Sequence, residues 1–171
     1  MSKIDYDLKK IKGFVFDVDG VLSPATVLLG EDGRPCRMGN VRDGHALQVA
    51  VKAGYKFAII SGGKGGAFLR RCAILGVKDT YMNISKKLPY LRMWLEKEGL
   101  QPEEVVYIGD DVPDVECMQY VGLPVSPADG CVDVKQVARY ISPVIGGYGI
   151  VREVVEEVMR AQGTWNTGIN N

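Results

Sequence analysis

The chain of 171 residues is 46% hydrophobic and 25% charged, and its 21 lysines and arginines are matched by 21 acids. This size supports one domain with a core of its own. The absence of net charge argues against nucleic acid and anionic membrane surfaces as partners, and no apolar run approaches the ~20 residues of a membrane span.

In chain order, the opening MSKIDYDLKKIKG carries charges but not the apolar stretch of a secretory signal, so the expected location is the cytoplasm. There Cys36, Cys72, Cys117 and Cys131, which form no CxxC pair, are expected to be reduced. A first strand is expected at 11–16, and Asp17, Val18, Asp19 and Gly20 follow it directly. Residues 25–41 break the pattern: two extended arms flank Asp32-Gly33, a hairpin turn, and the hairpin is placed to cover the loop it leaves. A helix at 43–53 stops at Gly54, and a second strand at 55–60 ends in Ser61-Gly62-Gly63. A helix at 66–75 carries Arg70 and Arg71, and a weaker strand is expected at 79–82. The helix at 86–98 opens with Lys86 and Lys87 and tolerates Pro89 only because it lies in the first turn. The strand at 104–109 ends in Asp110 and Asp111, with Asp114 three residues on. Shorter helices are expected at 113–121 and 130–138, and strands at 123–125 and 140–141. An amphipathic helix at 149–161 carries Arg152, and the chain is expected to form a single domain over 1–163 with a loose tail at 164–171.

Strands that alternate with helices predict an α/β fold with a doubly wound, mostly parallel sheet, a hairpin flap after the first strand and no large cap domain. Ligands of such sheets bind beyond the carboxyl ends of the strands. Three strand ends carry polar residues, namely Asp17 and Asp19, Ser61, and Asp110 with Asp111 and Asp114, and the fold would gather them on one edge. A calcium loop is excluded, because Val21 stands where a third acid belongs and Leu28 where a bidentate Glu is needed. Mg²⁺ fits better: it needs one or two carboxylates, available from Asp17 and Asp110, with the backbone carbonyl of Asp19. Crowded carboxylates raise each other's pKa, and a cation or one of the lysines Lys86 and Lys87 relieves this. Such parts suit phosphoryl transfer, in which an Asp attacks phosphorus and a second acid exchanges protons with the leaving oxygen and water.

At this point the sequence resembles the haloacid dehalogenase superfamily, whose motifs occur in order: Asp17-Val18-Asp19-Gly20-Val21, Ser61 after an apolar strand, a lysine opening a helix, and Gly109-Asp110-Asp111-Val112-Pro113-Asp114. The hairpin after the first motif, NVRDGHAL at 40–47 and GGYGIVREVVEEV at 146–158 make it similar to the capless 3-deoxy-D-manno-octulosonate 8-phosphate (KDO 8-phosphate) phosphatase-like subfamily. The resemblance implies a Mg²⁺-dependent phosphatase of a phosphorylated sugar acid, acting through an aspartyl-phosphate. It implies Asp17 as nucleophile and metal ligand, and Asp19 as general acid/base and backbone-carbonyl ligand. Asp110 would be a metal ligand supported by Asp111 and Asp114, Ser61 would bind phosphate, and Lys87 would be the site lysine, with Lys86 as its alternative. Gly20, Gly62, Arg70, Arg71 and Arg152 become candidate phosphate or substrate contacts. It also implies a homotetramer in which neighbouring subunits cover each other's sites.

The chain departs from the family pattern at Ser23-Pro24-Ala25, where Thr-Asp-Gly is usual, at Gly63, where Arg or Glu is frequent, and at Ile145, where a basic residue is frequent. These positions bear on the sugar acid, which leaves a nonulosonate 9-phosphate or another small phosphate ester as alternative substrates. A phospho-receiver or a catalytically quiet scaffold of similar fold is the more distant alternative.

Overall fold

The computed structural model describes residues 2–165. In chain order the elements are β1 (Gly13–Phe16), β2 (Leu28–Leu29), β3 (Pro35–Cys36), α1 (Val41–Lys52), β4 (Lys56–Ile60), α2 (Ala67–Ile74), β5 (Asp79–Tyr81), α3 (Leu88–Glu98), β6 (Val105–Ile108), α4 (Val115–Tyr120), β7 (Leu123–Ser126), α5 (Val132–Val137), β8 (Tyr140–Ile141) and α6 (Ile150–Ala161). Six strands form one parallel sheet in the order β5-β4-β1-β6-β7-β8. The doubly wound expectation holds, and no cap domain is inserted among the described residues.

The unbroken apolar runs have a direct cause. All four residues of β1 and of β6 are buried, because helices cover both faces of the sheet. Phe14, Phe16, Phe57, Ile59, Val106 and Ile108 point into one core with α1, α2 and α6. Phe14 and Phe57 stack there with ring centroids 5.2 Å apart. The intervening residues Val15, Ala58, Ile60, Val105 and Tyr107 pack on the other side against α3, α4 and α5, around the fully buried Trp94.

Helix ends differ from expectation where a cap was overlooked. α1 starts at Val41 because the Asn40 side chain accepts from the backbone N–H groups of Arg42 and Asp43 at 2.9 and 3.2 Å. The helix expected at 113–121 is a 3-10 turn at Val112–Asp114 followed by α4. Pro89 lies in the first turn of α3, and Gly99, at φ 67°, ends that helix. β2 and β3 pair antiparallel as an exposed hairpin, with the turn closed by Asp32, whose carboxylate accepts from Arg34 N–H at 3.0 Å.

The expected tail begins anchored. Thr164 N–H donates to the Met159 carbonyl at 2.8 Å, and its hydroxyl pairs with that of Tyr55 at 2.8 Å. Trp165 packs on the core under the guanidiniums of Arg152 and Arg160, 4.7 and 5.9 Å from its ring centroid. The remainder of the expected tail, 166–171, lies outside the described residues.

Candidate active site

The chain runs from β1 outward to β4 and β5, returns to β6 beside β1, and continues to β7 and β8. The order therefore reverses between β1 and β6, and the crevice beyond their carboxyl ends is the natural ligand site. Asp17 leaves β1 there and Asp110 follows β6 after Gly109. A cleft of about 580 Å³ opens at this point, lined by Asp17, Asp19, Ser61, Lys87, Asp110 and Asp111, together with Gly62. Ala25 and Gly63, two of the positions that depart from the family pattern, also lie on its wall.

At its floor lies a buried cluster of charges. The Lys87 ammonium reaches Asp17 at 2.9 Å and Asp114 at 2.7 Å. Burial alone would lower its pKa, but the two carboxylates outweigh burial and hold it above its ordinary value. Lys87 immediately precedes α3, so packing of that helix sets its direction, whereas Lys86 is exposed. Asp114 is fully buried and saturated: one oxygen also accepts from the Tyr107 hydroxyl at 2.8 Å, and the other accepts from the N–H groups of Asp110 and Asp111 at 3.1 and 3.4 Å. It ties the strand-end loop to the lysine. Asp111 faces the cleft and also caps the following turn, accepting from Val112 N–H at 2.8 Å.

Asp17, Asp110 and Asp114 each offer an oxygen, and these atoms lie within 4.8 Å of one another. With Asp114 saturated, the free valence belongs to Asp17 and Asp110. One oxygen of Asp110 is buried with no hydrogen-bond partner among the described residues. Burial, then Asp114, Asp17 and Asp111, push the Asp110 carboxyl up to about 8. Burial and Asp114 push Asp17 up to about 6 against the opposing pull of Lys87. Lys87 by itself therefore does not hold Asp17 in the usual carboxylate range; a cation between Asp17 and Asp110 would. An orphaned carboxylate oxygen beside a second raised acid fits a hard divalent cation such as Mg²⁺.

Ser61 is buried at the end of β4, and its hydroxyl accepts from Gly63 N–H at 3.2 Å. Gly20 sits in the loop at φ 85°, and a Cβ there would strike the Asp110 carboxylate. Its N–H is spent on the Ser23 carbonyl at 2.8 Å, so this glycine admits Asp110 and has no N–H left for phosphate.

Within one chain the three candidate arginines stand apart from the acids. Arg71 faces a separate hollow of about 490 Å³ between the hairpin and α2, and Arg70 borders another beside Lys64 and Gly65. Arg152 is held on α6 by Glu156 and Trp165, on the side of the sheet away from Lys87. One arginine the sequence reading missed does reach the site. Arg37, next to β3, donates from Nε and Nη2 to the two oxygens of Asp19 at 2.7 and 2.9 Å. No periodicity or motif marks it; the hairpin's fold-back over the loop brings it there.

Comparison with known proteins agrees with this geometry. Residues 77–153 match the profile of the haloacid dehalogenase-like hydrolases. The chain is 39% identical over 155 residues to the 3-deoxy-D-manno-octulosonate 8-phosphate phosphatase of Escherichia coli K12, covering 91% of this chain and 82% of that protein. It is 36% identical over 152 residues to the enzyme of that name from Yersinia pestis, covering 89% and 81%. The crystal structure of the phosphatase from Moraxella catarrhalis, described as a complex with magnesium ion, phosphate ion and KDO, superposes with a TM-score of 0.89 at 34% identity over 95% of this chain and 94% of that one. The chain belongs to the haloacid dehalogenase-like hydrolases, in the family of the 3-deoxy-D-manno-octulosonate 8-phosphate phosphatases.

Proposed function

We propose that this protein is a Mg²⁺-dependent phosphatase that hydrolyses 3-deoxy-D-manno-octulosonate 8-phosphate. The observation that carries the reading is the buried array of Asp17, Lys87, Asp114 and the orphaned Asp110 at the junction of β1 and β6. The substrate follows from the names of the relatives, which match over most of both chains. Asp17 and Asp110 would hold Mg²⁺, which would supply charge neutralisation for the phosphoryl oxygens.

The chain's own groups supply the rest. An oxygen of Asp17 attacks phosphorus, the bond to the sugar oxygen breaks, and Asp19 gives that oxygen its proton. Asp19 then takes a proton from water, which attacks the aspartyl-phosphate and releases inorganic phosphate. Asp17 is directed by Val18 N–H, which donates to it at 2.6 Å, and by Lys87 at 2.9 Å. Ser61 and the Gly62 N–H line the cleft and would receive the phosphoryl oxygens, whose charge Lys87 shares.

The reading includes a cytoplasmic homotetramer whose neighbouring subunits cover the cleft. The hairpin's exposed apolar residues support it, with Leu28 and Leu29 74% and 75% exposed beside exposed Met38 and Val41. The test is turnover with Mg²⁺ on a panel of sugar phosphates that includes octulosonate 8-phosphate and nonulosonate 9-phosphate. The octulosonate ester should be preferred, and Asp17→Asn should lower kcat by about 10³-fold or more while leaving the oligomer intact. Slow, equal turnover across the panel refutes the substrate. An Asp17→Asn variant as active as wild type refutes the mechanism.

A further inference from the structure

The Arg37–Asp19 pair poses a chemical problem. A guanidinium fork satisfies a planar carboxylate through two parallel hydrogen bonds, which is how Arg37 holds Asp19. Its third arm donates from Nη1 to the Lys64 carbonyl at 2.9 Å, and its side chain is only 6% exposed. Asp19 cannot serve the leaving oxygen while both of its oxygens are bound in the fork. When Asp19 turns to its task, a buried guanidinium loses its anion and needs another. The space around it is made by a missing side chain: a Cβ on Gly63 would come within 2.5 Å of Arg37 Nη2 and 3.1 Å of the Asp19 carboxylate. The guanidinium thus sits directly against the cleft wall formed by Gly63.

We propose that Arg37 is a specificity-determining residue that binds the carboxylate of the substrate. It rests on Asp19 in the empty site and exchanges that carboxylate for the substrate's own, which frees Asp19 as the acid is bound. The exchange is one carboxylate for another in the same fork, so it conserves charge and hydrogen-bond count. It also couples release of the general acid to the presence of a carboxylated ester, so that an ester without a carboxylate leaves Asp19 engaged. This inference rests on the sugar-acid reading above.

The experiment compares kcat/KM for octulosonate 8-phosphate with that for glucose 6-phosphate, which has no carboxylate, in wild type, Arg37→Ala and Arg37→Lys, with melting curves to verify folding. The expected result is a fall in the ratio of the two values by about tenfold to a hundredfold in Arg37→Ala, the loss of a charged hydrogen-bonding pair. Arg37→Lys should also lower the ratio, by less, because it keeps the charge without the fork. A ratio unchanged in Arg37→Ala overturns the assignment, whether both substrates fall together or neither falls. Full restoration of the ratio by lysine overturns the bidentate exchange. A wild type that shows no preference between the two esters refutes the substrate reading before any variant is measured, so the two failures are distinct.

Discussion

Asp114→Asn removes one negative charge at full burial and nothing else in volume. In the native cluster Asp114 receives four donors: the Lys87 ammonium, the Tyr107 hydroxyl and the N–H groups of Asp110 and Asp111. An amide brings an NH₂ group, and in either orientation it opposes two of those donors with a donor. Breaking one partner of a buried ion pair costs about 3–5 kcal/mol. Part returns, because Asp114 is the strongest charge raising both Asp17 and Asp110, and its removal relieves that repulsion. With about 1 kcal/mol recovered, the net loss is about 3 kcal/mol, and at about 2–4 °C per kcal/mol for a chain of this length Tm should fall by about 6–12 °C. The assay is thermal unfolding followed by circular dichroism at pH 7 in the presence of a chelator, so that metal binding does not mask the cluster. A Tm within about 2 °C of wild type would show that Asp114 is not the structural counter-charge of Lys87, and the reasoning would fail.

Two further outcomes follow from the raised carboxyl groups. Asp110, pushed up to about 8, is mostly protonated at pH 7 without a cation, and a cation binds only the carboxylate. Addition of Mg²⁺ at pH 7 in weak buffer should therefore release about one proton per chain, the release should vanish above pH 9, and apparent affinity should rise with pH up to about 8; proton release that is independent of pH refutes the assignment. Asp43 lies outside the cleft, where burial raises its carboxyl to about 6 even though Arg152 N–H donates to it at 2.7 Å and opposes that shift. Its folded-state pKa lies above the ordinary 3.8, so the associated stability is complete below about pH 4 and is lost as pH rises through 6. Asp43→Asn keeps the acceptor for Arg152 but puts an amide donor where the other Asp43 oxygen has no partner among the described residues, so its stability relative to wild type should rise by about 2–3 kcal/mol between pH 4 and pH 8, as read from urea unfolding at the two values. A stability difference between variant and wild type that is the same at pH 4 and pH 8 refutes this.

The sequence by itself determined the sheet and the acids at its edge. Runs such as GFVF and VVYI, with acids within two residues of their ends, state both that a strand is covered on two faces and that it ends in water, because period and polarity are local properties. The choice of Lys87 over Lys86 was not local: the two are adjacent, and only the packing of α3 against β4 and β6 points one of them at Asp17. The saturation of Asp114 depended likewise on Tyr107 and Lys87 arriving from two different elements. The sequence left Arg70, Arg71 and Arg152 as candidates for the site, and the fold placed all three away from the site acids of their own chain. It brought Arg37 in their stead, on a hairpin that the sequence placed over the loop without marking which of its side chains would reach Asp19. The chemistry was written in side chains next to strand ends; its electrostatics, and the pairing of Arg37 with Asp19, arose only where burial and fold-back set charges from distant segments within hydrogen-bond reach.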